Sequence, residues 1–244
     1  MAGYDYELLV AQQPSCGLMC GFDSNFSARV DSFLFSFSGS CPITPPPILR
    51  LVVYDSDGKS VDISQVNMAF YVSTCDLWST NMKMHRNLVV NLPNNAAVND
   101  MATDERESSK TKPYTLSRNL LGSNVTAGLC LRDLDNKPGI FFIFQDLCVR
   151  TEGTFRLKFR FFDLRSGIVD MENSPVLAEA ISDEFTVYPA AQYPGVYECT
   201  ALERCFEDQG VLNLTCRNQY RIRSGHSYED ADGGDEVFEI SDKS

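Results

Sequence analysis

The chain has 244 residues, of which 43% are hydrophobic and 22% charged, and a formal net charge of −12. This is the composition of an ordinary globular protein of one large or two small domains, and it excludes a wholly disordered, collagen-like or low-complexity chain. Apolar runs stay under about ten residues, against the roughly 20 of a bilayer-spanning helix, and the negative balance excludes a strongly basic, histone-like binder of nucleic acid.

In chain order, the opening Met1-Ala2-Gly3-Tyr4-Asp5-Tyr6-Glu7 has neither a basic region nor a long apolar one, so no secretory signal is expected. Tyr6–Val10 reads as a short strand ended by Gln12-Gln13-Pro14. Residues 23–44 read as an insertion, although Phe33-Leu34-Phe35-Ser36-Phe37 alternates enough to form a strand. Pro45-Pro46-Pro47 fixes an extended approach to the next strand, because each ring locks φ; that strand is Ile48–Tyr54, followed by the turn Asp55-Ser56-Asp57-Gly58. Asn67–Cys75 has β-branched and aromatic strand character. Residues 91–117, polar and poor in apolar side chains after Val98, read as a second insertion, a mobile loop within the domain.

Gly139–Phe144 is a strongly apolar strand after the turn Asp135-Asn136-Lys137-Pro138. Thr154–Phe161 has the clearest period of two: Phe155, Leu157, Phe159 and Phe161 fall on one face, and Arg156, Lys158 and Arg160 on the other. Pro175–Glu179 and Asp183–Tyr188 follow as short strands. Thr200-Ala201-Leu202-Glu203 is a capping box opening a helix, with Leu202, Cys205 and Phe206 on one face and Gly210 to close it. Short strands separated by turns predict an antiparallel β-sandwich with this helix packed on it.

The charge is unevenly spread. Residues 229–244 hold seven acids and one base, the pattern of a solvated, disordered acidic tail or of a mask for basic patches. Residues 118–165 carry eight bases and five acids, and residues 211–228 carry Arg217, Arg221 and Arg223 with no acid. A basic face is therefore compatible with the acidic average, since fields act within a Debye length of roughly 8 Å.

The nine cysteines are irregularly spaced, which argues against an extracellular disulfide framework and for buried thiols. Cys16 and Cys20 have no second ligand pair, and His85 and His226 are remote, so no metal or cofactor is expected. The sequons at Asn25, Asn124 and Asn213 lack a secretory context. No nucleophile elbow, phosphate loop or glycine fingerprint is present, and the chain is not expected to be an enzyme.

Several blocks together resemble one family. Gln12-Gln13-Pro14, Cys20-Gly21-Phe22 and Pro45-Pro46-Pro47-Ile48 resemble the opening of the fungal velvet domain. The second half is closer: Arg118-Asn119-Leu120-Leu121-Gly122, Asp133-Leu134-Asp135-Asn136-Lys137-Pro138-Gly139, Phe144-Gln145-Asp146-Leu147 and Arg150-Thr151-Glu152-Gly153-Thr154-Phe155-Arg156-Leu157 are similar to its central blocks. Ser182–Tyr188, Tyr193-Pro194-Gly195 and Phe206-Glu207-Asp208-Gln209-Gly210 match its closing blocks.

The resemblance implies a mainly β, Rel-homology or immunoglobulin-like antiparallel sandwich with a short C-terminal helix, a velvet domain over residues 1–218 and an acidic tail over 219–244. It implies a nuclear, and also cytoplasmic, regulator of fungal development, sporulation and secondary metabolism. Such a regulator binds DNA as a homo- or heterodimer with other velvet proteins and takes no cofactor, membrane or small-molecule substrate.

The family places a basic loop before the proline run; here that loop offers only Arg29, followed by the apolar stretch 30–41. Joining Ser27-Ala28-Arg29 to Pro42-Ile43-Thr44-Pro45 brings the chain nearer the family pattern. The stretch therefore reads as a lineage-specific insertion or a retained intron, which sequencing the transcript would decide.

The candidate DNA-binding residues are Arg29, Arg156, Lys158, Arg160, Arg217 and Arg221. Arg29 reads equally as an exposed loop arginine. The 156–160 ridge reads also as a solvated face shielded by carboxylates. Arg217, Arg221 and Arg223 read as phosphate contacts, a nuclear-targeting patch or plain polar tail. Arg150 and Glu152 read as a structural pair. Three to five phosphate contacts would give a salt slope of roughly −3 to −4.5, which favours a dimer. The competing readings are a velvet interaction module whose partner supplies the DNA-reading loop and, further off, a secreted immunoglobulin-like module.

Overall fold

The computed structural model describes residues 4–22, 42–91, 115–166, 175–195 and 197–211. Arg29, Arg217, Arg221, Arg223, the Phe33–Phe37 alternation and the acidic tail lie outside them. The described residues are mainly β. Strands β1 (Asp5–Gln12), β3 (Ile48–Tyr54), β9 (Leu129–Arg132) and β10 (Pro138–Ile143) form one antiparallel sheet in the order β1-β3-β10-β9. The second sheet runs β2 (Cys16–Leu18), β14 (Phe185–Tyr188), β12 (Gly153–Asp163), β4 (Tyr71–Ser79), β8 (Val125–Ala127), with β13 (Ala178–Ile181) also on β12. Its pairs are antiparallel except β2 with β14. Two small ribbons lie apart, β5 (Leu88–Asn91) with β6 (Thr115–Arg118), and β7 (Leu120–Leu121) with β11 (Cys148–Val149).

The sheets share one core. Leu49, Leu51, Ile140 and Phe142 from the first meet Tyr71, Cys75, Leu77, Leu157, Phe159 and Phe161 from the second. The arrangement is consistent with an immunoglobulin-type sandwich. In β12 the observed burial alternates as the sequence predicts, Phe155, Leu157, Phe159 and Phe161 inward and Arg156, Lys158 and Arg160 outward. Strand Ile48–Tyr54 is observed with its expected ends.

Other segments differ from expectation. The strand expected at Asn67–Cys75 begins at Tyr71 and continues to Ser79, because Asn67–Phe70 make a turn in which the Asn67 side chain accepts the Ala69 N–H. Ile43, expected within an insertion, is buried, and the Thr44 carbonyl accepts the N–H groups of Ser15 and Cys16, so Ile43 and Thr44 belong to the packed domain. Thr44–Pro45 is a cis peptide. Thr115–Ser117, expected in the second insertion, form most of β6, held by its pairing with β5.

Helix α1 (Ala201–Asp208) caps the outer face of the first sheet, where Phe206 joins Ile48, Leu131, Phe141 and Ile143 in a second apolar cluster. The expected capping box is complete: the Thr200 Oγ1 accepts the Glu203 N–H at 3.1 Å, and the Glu203 carboxylate accepts the Thr200 N–H at 2.7 Å. The Thr200 hydroxyl also donates to Gln12, whose amide donates to the Pro46 carbonyl, so the cap ties the helix to the end of β1 and to the segment entering β3. Replacing Thr200→Ala is expected to cost about 1–2 kcal/mol in urea denaturation; an unchanged midpoint would mean that the helix start is held by Phe206 packing alone.

Candidate nucleic-acid interface

The predicted ridge stands on the outer face of the second sheet, and each of its cations meets a carboxylate. The Arg156 guanidinium donates to the Thr80 carbonyl at 3.1 Å, the Ser182 carbonyl at 2.9 Å and Glu184 at 3.2 Å. The Lys158 ammonium lies 2.9 Å from Glu179 on β13 and 5.7 Å above the Trp78 ring. Arg160 pairs with Asp76 on β4, whose other oxygen accepts the Asn87 amide at 2.7 Å. Their side chains are 29%, 23% and 34% exposed. The ridge is real as a row of cations, but it carries almost no unbalanced charge.

A second network lies where β4 ends and β12 begins. Arg150, 6% exposed, donates from Nε to the Arg118 carbonyl at 2.8 Å and from Nη1 to the Gly21 carbonyl at 2.8 Å, under the Phe22 ring. Buried Asn119 accepts the Thr151 N–H and hydroxyl at 3.2 and 3.1 Å and gives its own N–H to the Asn87 carbonyl at 2.7 Å. Arg150 is therefore structural, as its sequence block suggested. Glu152 is not its partner; it is exposed and lines an open cleft of about 440 Å³ with Thr80, Asn81, Arg86 and Thr151.

Three cations at this end have side chains free of hydrogen bonds and ion pairs among the described residues: Lys83 and Arg86 in the β4–β5 hairpin, and Arg118 at the end of β6. Arg118 falls within a basic stretch of the sequence, but Lys83 and Arg86 were not legible as site residues, since neither sits in a charged run. The β5–β6 ribbon beside them exposes Leu88, Val90 and Leu116 at 59%, 50% and 63%.

The remaining chemistry is quiet. Among the described residues no three histidine, cysteine, aspartate or glutamate side chains gather as a metal would require, and no helix is long and apolar enough to cross a membrane. Burial pushes the Cys20 thiol up to about 11 against the opposing field of Arg150, and Cys75 is raised well above its ordinary value for the same reason, so neither is a ready thiolate at neutral pH. His85 packs against Trp78, with ring centroids 3.7 Å apart and planes tilted by 41°.

Comparison with known proteins places these features in a family. The "Velvet factor" family model matches residues 6–219. A velvet complex protein of Aspergillus flavus is 28% identical over 96% of this chain and 84% of its own. "Velvet complex subunit RYP3" of Ajellomyces capsulatus is 27% identical over 86% of this chain and 78% of its own. "Velvet complex subunit 2" of Cochliobolus heterostrophus is 26% identical over 84% of each chain. The match runs from β1 through the capping helix, and the chain belongs to the velvet factor family.

Proposed function

We propose that the chain is one component of a velvet complex that regulates transcription in the nucleus, with a cytoplasmic pool, and binds DNA as a homo- or heterodimer with a second velvet protein. The processes it controls are fungal development, sporulation and secondary metabolism. The observation that carries this reading is the family match over residues 6–219, joined to relatives named as members of a velvet complex. The exposed apolar face of the β5–β6 ribbon supports a protein partner, since such faces on soluble domains mark association surfaces. The role is regulatory rather than catalytic and needs no cofactor.

A second reading is a dimerisation partner that leaves DNA contact to the other chain. The ion pairs of Arg156, Lys158 and Arg160 favour it, because a cation already held by a carboxylate has less charge to offer a phosphate. Titrating duplex DNA with the purified chain, alone and mixed with a second velvet protein, across a salt series tests both. The first reading expects salt-sensitive, sequence-selective binding by the chain alone, strengthened in the mixture. Binding in the mixture alone selects the second reading, and no binding in either overturns DNA contact.

A further inference from the structure

We propose that Lys83, Arg86 and Arg118, at the end of the larger sheet where β4 finishes and β12 begins, are this chain's phosphate contacts on duplex DNA, in place of the β12 ridge. The inference rests on the reading of the chain as a DNA-binding regulator and assigns that contact to a surface which sequence periodicity did not indicate.

The argument is one of available charge. Affinity for a nucleic acid backbone comes largely from counterions released when cations replace them at the phosphates. A cation that must first leave a carboxylate contributes little net gain. Arg156, Lys158 and Arg160 are in that position, each with an acid at pairing distance. Arg50, Lys137 and Arg165 are likewise paired, with Asp133, Asp135 and Asp163. Lys83, Arg86 and Arg118 are exposed and carry no such partner among the described residues.

They also share one place. Arg86 and Arg118 each precede the asparagine of one backbone hydrogen bond, Asn119 N–H to Asn87 carbonyl at 2.7 Å, and Leu88 is the register partner of Arg118. Lys83 lies on the same hairpin as Arg86, closed by the bond from the Ser79 N–H to the Met84 carbonyl at 3.0 Å. Among the described residues Glu152 is the single carboxylate lining the cleft beside Arg86, and it balances Arg86 alone, while Lys83 and Arg118 lie outside that lining. The platform is rigid: Arg150 fixes the Arg118 carbonyl, and Asn87 is held by Asp76 and by the Leu77 N–H. Cations carried on a held backbone lose less backbone freedom on binding than cations on a free loop.

The test is a salt series of duplex DNA binding by the full chain, with its velvet partner if the mixture binds better. The double variant R86Q/R118Q is expected to flatten the slope of log K against log salt by about 1.8 per chain in contact and to weaken binding at least about tenfold at low salt. The charge-preserving R86K/R118K is expected to restore most of the slope, which separates lost charge from lost folding. An unchanged slope in R86Q/R118Q overturns the assignment and leaves the regulatory reading standing. So does the mirror result, in which Lys158→Gln flattens the slope and R86Q/R118Q does not. Absence of DNA binding by the unaltered chain, alone and mixed, overturns both.

Discussion

Phe159→Ala is expected to lower the stability of the chain by about 3–5 kcal/mol. Phe159 is fully buried at the middle of β12, the strand that pairs with β4, β13 and β14 and forms the centre of the larger sheet. Its ring lies 5.3 Å from that of buried Phe144, which directly follows β10 of the other sheet, so truncation opens a void between the sheets and not at a surface. Rigid strands on both sides limit how far the site can collapse, which places the cost in the upper part of the range seen for large-to-small changes. Since single domains carry about 5–15 kcal/mol in all, much of the margin would go. Lys158→Ala, one position away on the opposite face, is expected to cost about 1 kcal/mol or less, because it removes one partly exposed ion pair and a ring contact. Urea denaturation of both variants checks the facing of the strand; equal losses would overturn it.

That facing was legible because a period of two is a local property: seven consecutive residues state it without reference to the rest of the chain. The helix was legible for the same reason, since Thr200 and Glu203 recognise each other across one turn. What the sequence could not display was register. Asp76 and Arg160 are 84 positions apart, and only the pairing of β4 with β12, which sets Lys158 opposite Asp76 and Arg160 opposite Thr74, brings that acid to the ridge. A row of bases on one strand reads as a basic face until the neighbouring strands are in place.

The free cations were hidden for a related reason. The β5–β6 ribbon joins two four-residue strands separated by residues 92–114, and neither strand is long enough to stand out from the polar surroundings. Arg86 and Arg118 become neighbours only through that ribbon. Likewise β2 pairs in parallel with β14 across most of the chain, a contact for which Cys16-Gly17-Leu18 offers no local pattern. The family blocks did show which segments matter, but not why; the reason is that they meet. Arg118-Asn119 and Arg150-Thr151 interlock through the Arg150 guanidinium and the Asn119 amide.

Gly122→Ala tests the same convergence at its tightest point and is expected to cost about 2–5 kcal/mol, the sum of a backbone and a packing penalty. Gly122 has φ of +91°, in the region that disfavours any side chain, and a Cβ there would lie 2.2 Å from the Asp146 carbonyl oxygen. The first penalty is worth about 1–2 kcal/mol, and the second adds an overpacking cost of about 1–3 kcal/mol because the obstructing atom is backbone and cannot rotate away. Nor can the loops simply part. Asp146 accepts the Ser123 N–H at 3.0 Å and its hydroxyl at 2.7 Å, and β7 pairs with β11 on either side, Leu121 opposite Cys148 and Leu120 opposite Val149. Any shift that admits a methyl group therefore strains the strand leading to Arg150 and, through it, the Arg118 platform. Gly58→Ala supplies the contrast, with φ of +73° and nothing within 4 Å of its would-be Cβ, so that only the backbone penalty applies. Urea midpoints should fall in the order unaltered chain, Gly58→Ala, Gly122→Ala. If the two variants fall equally, the close approach of Gly122 to Asp146 contributes nothing, and the coupling between these two blocks must be sought in the side chains alone.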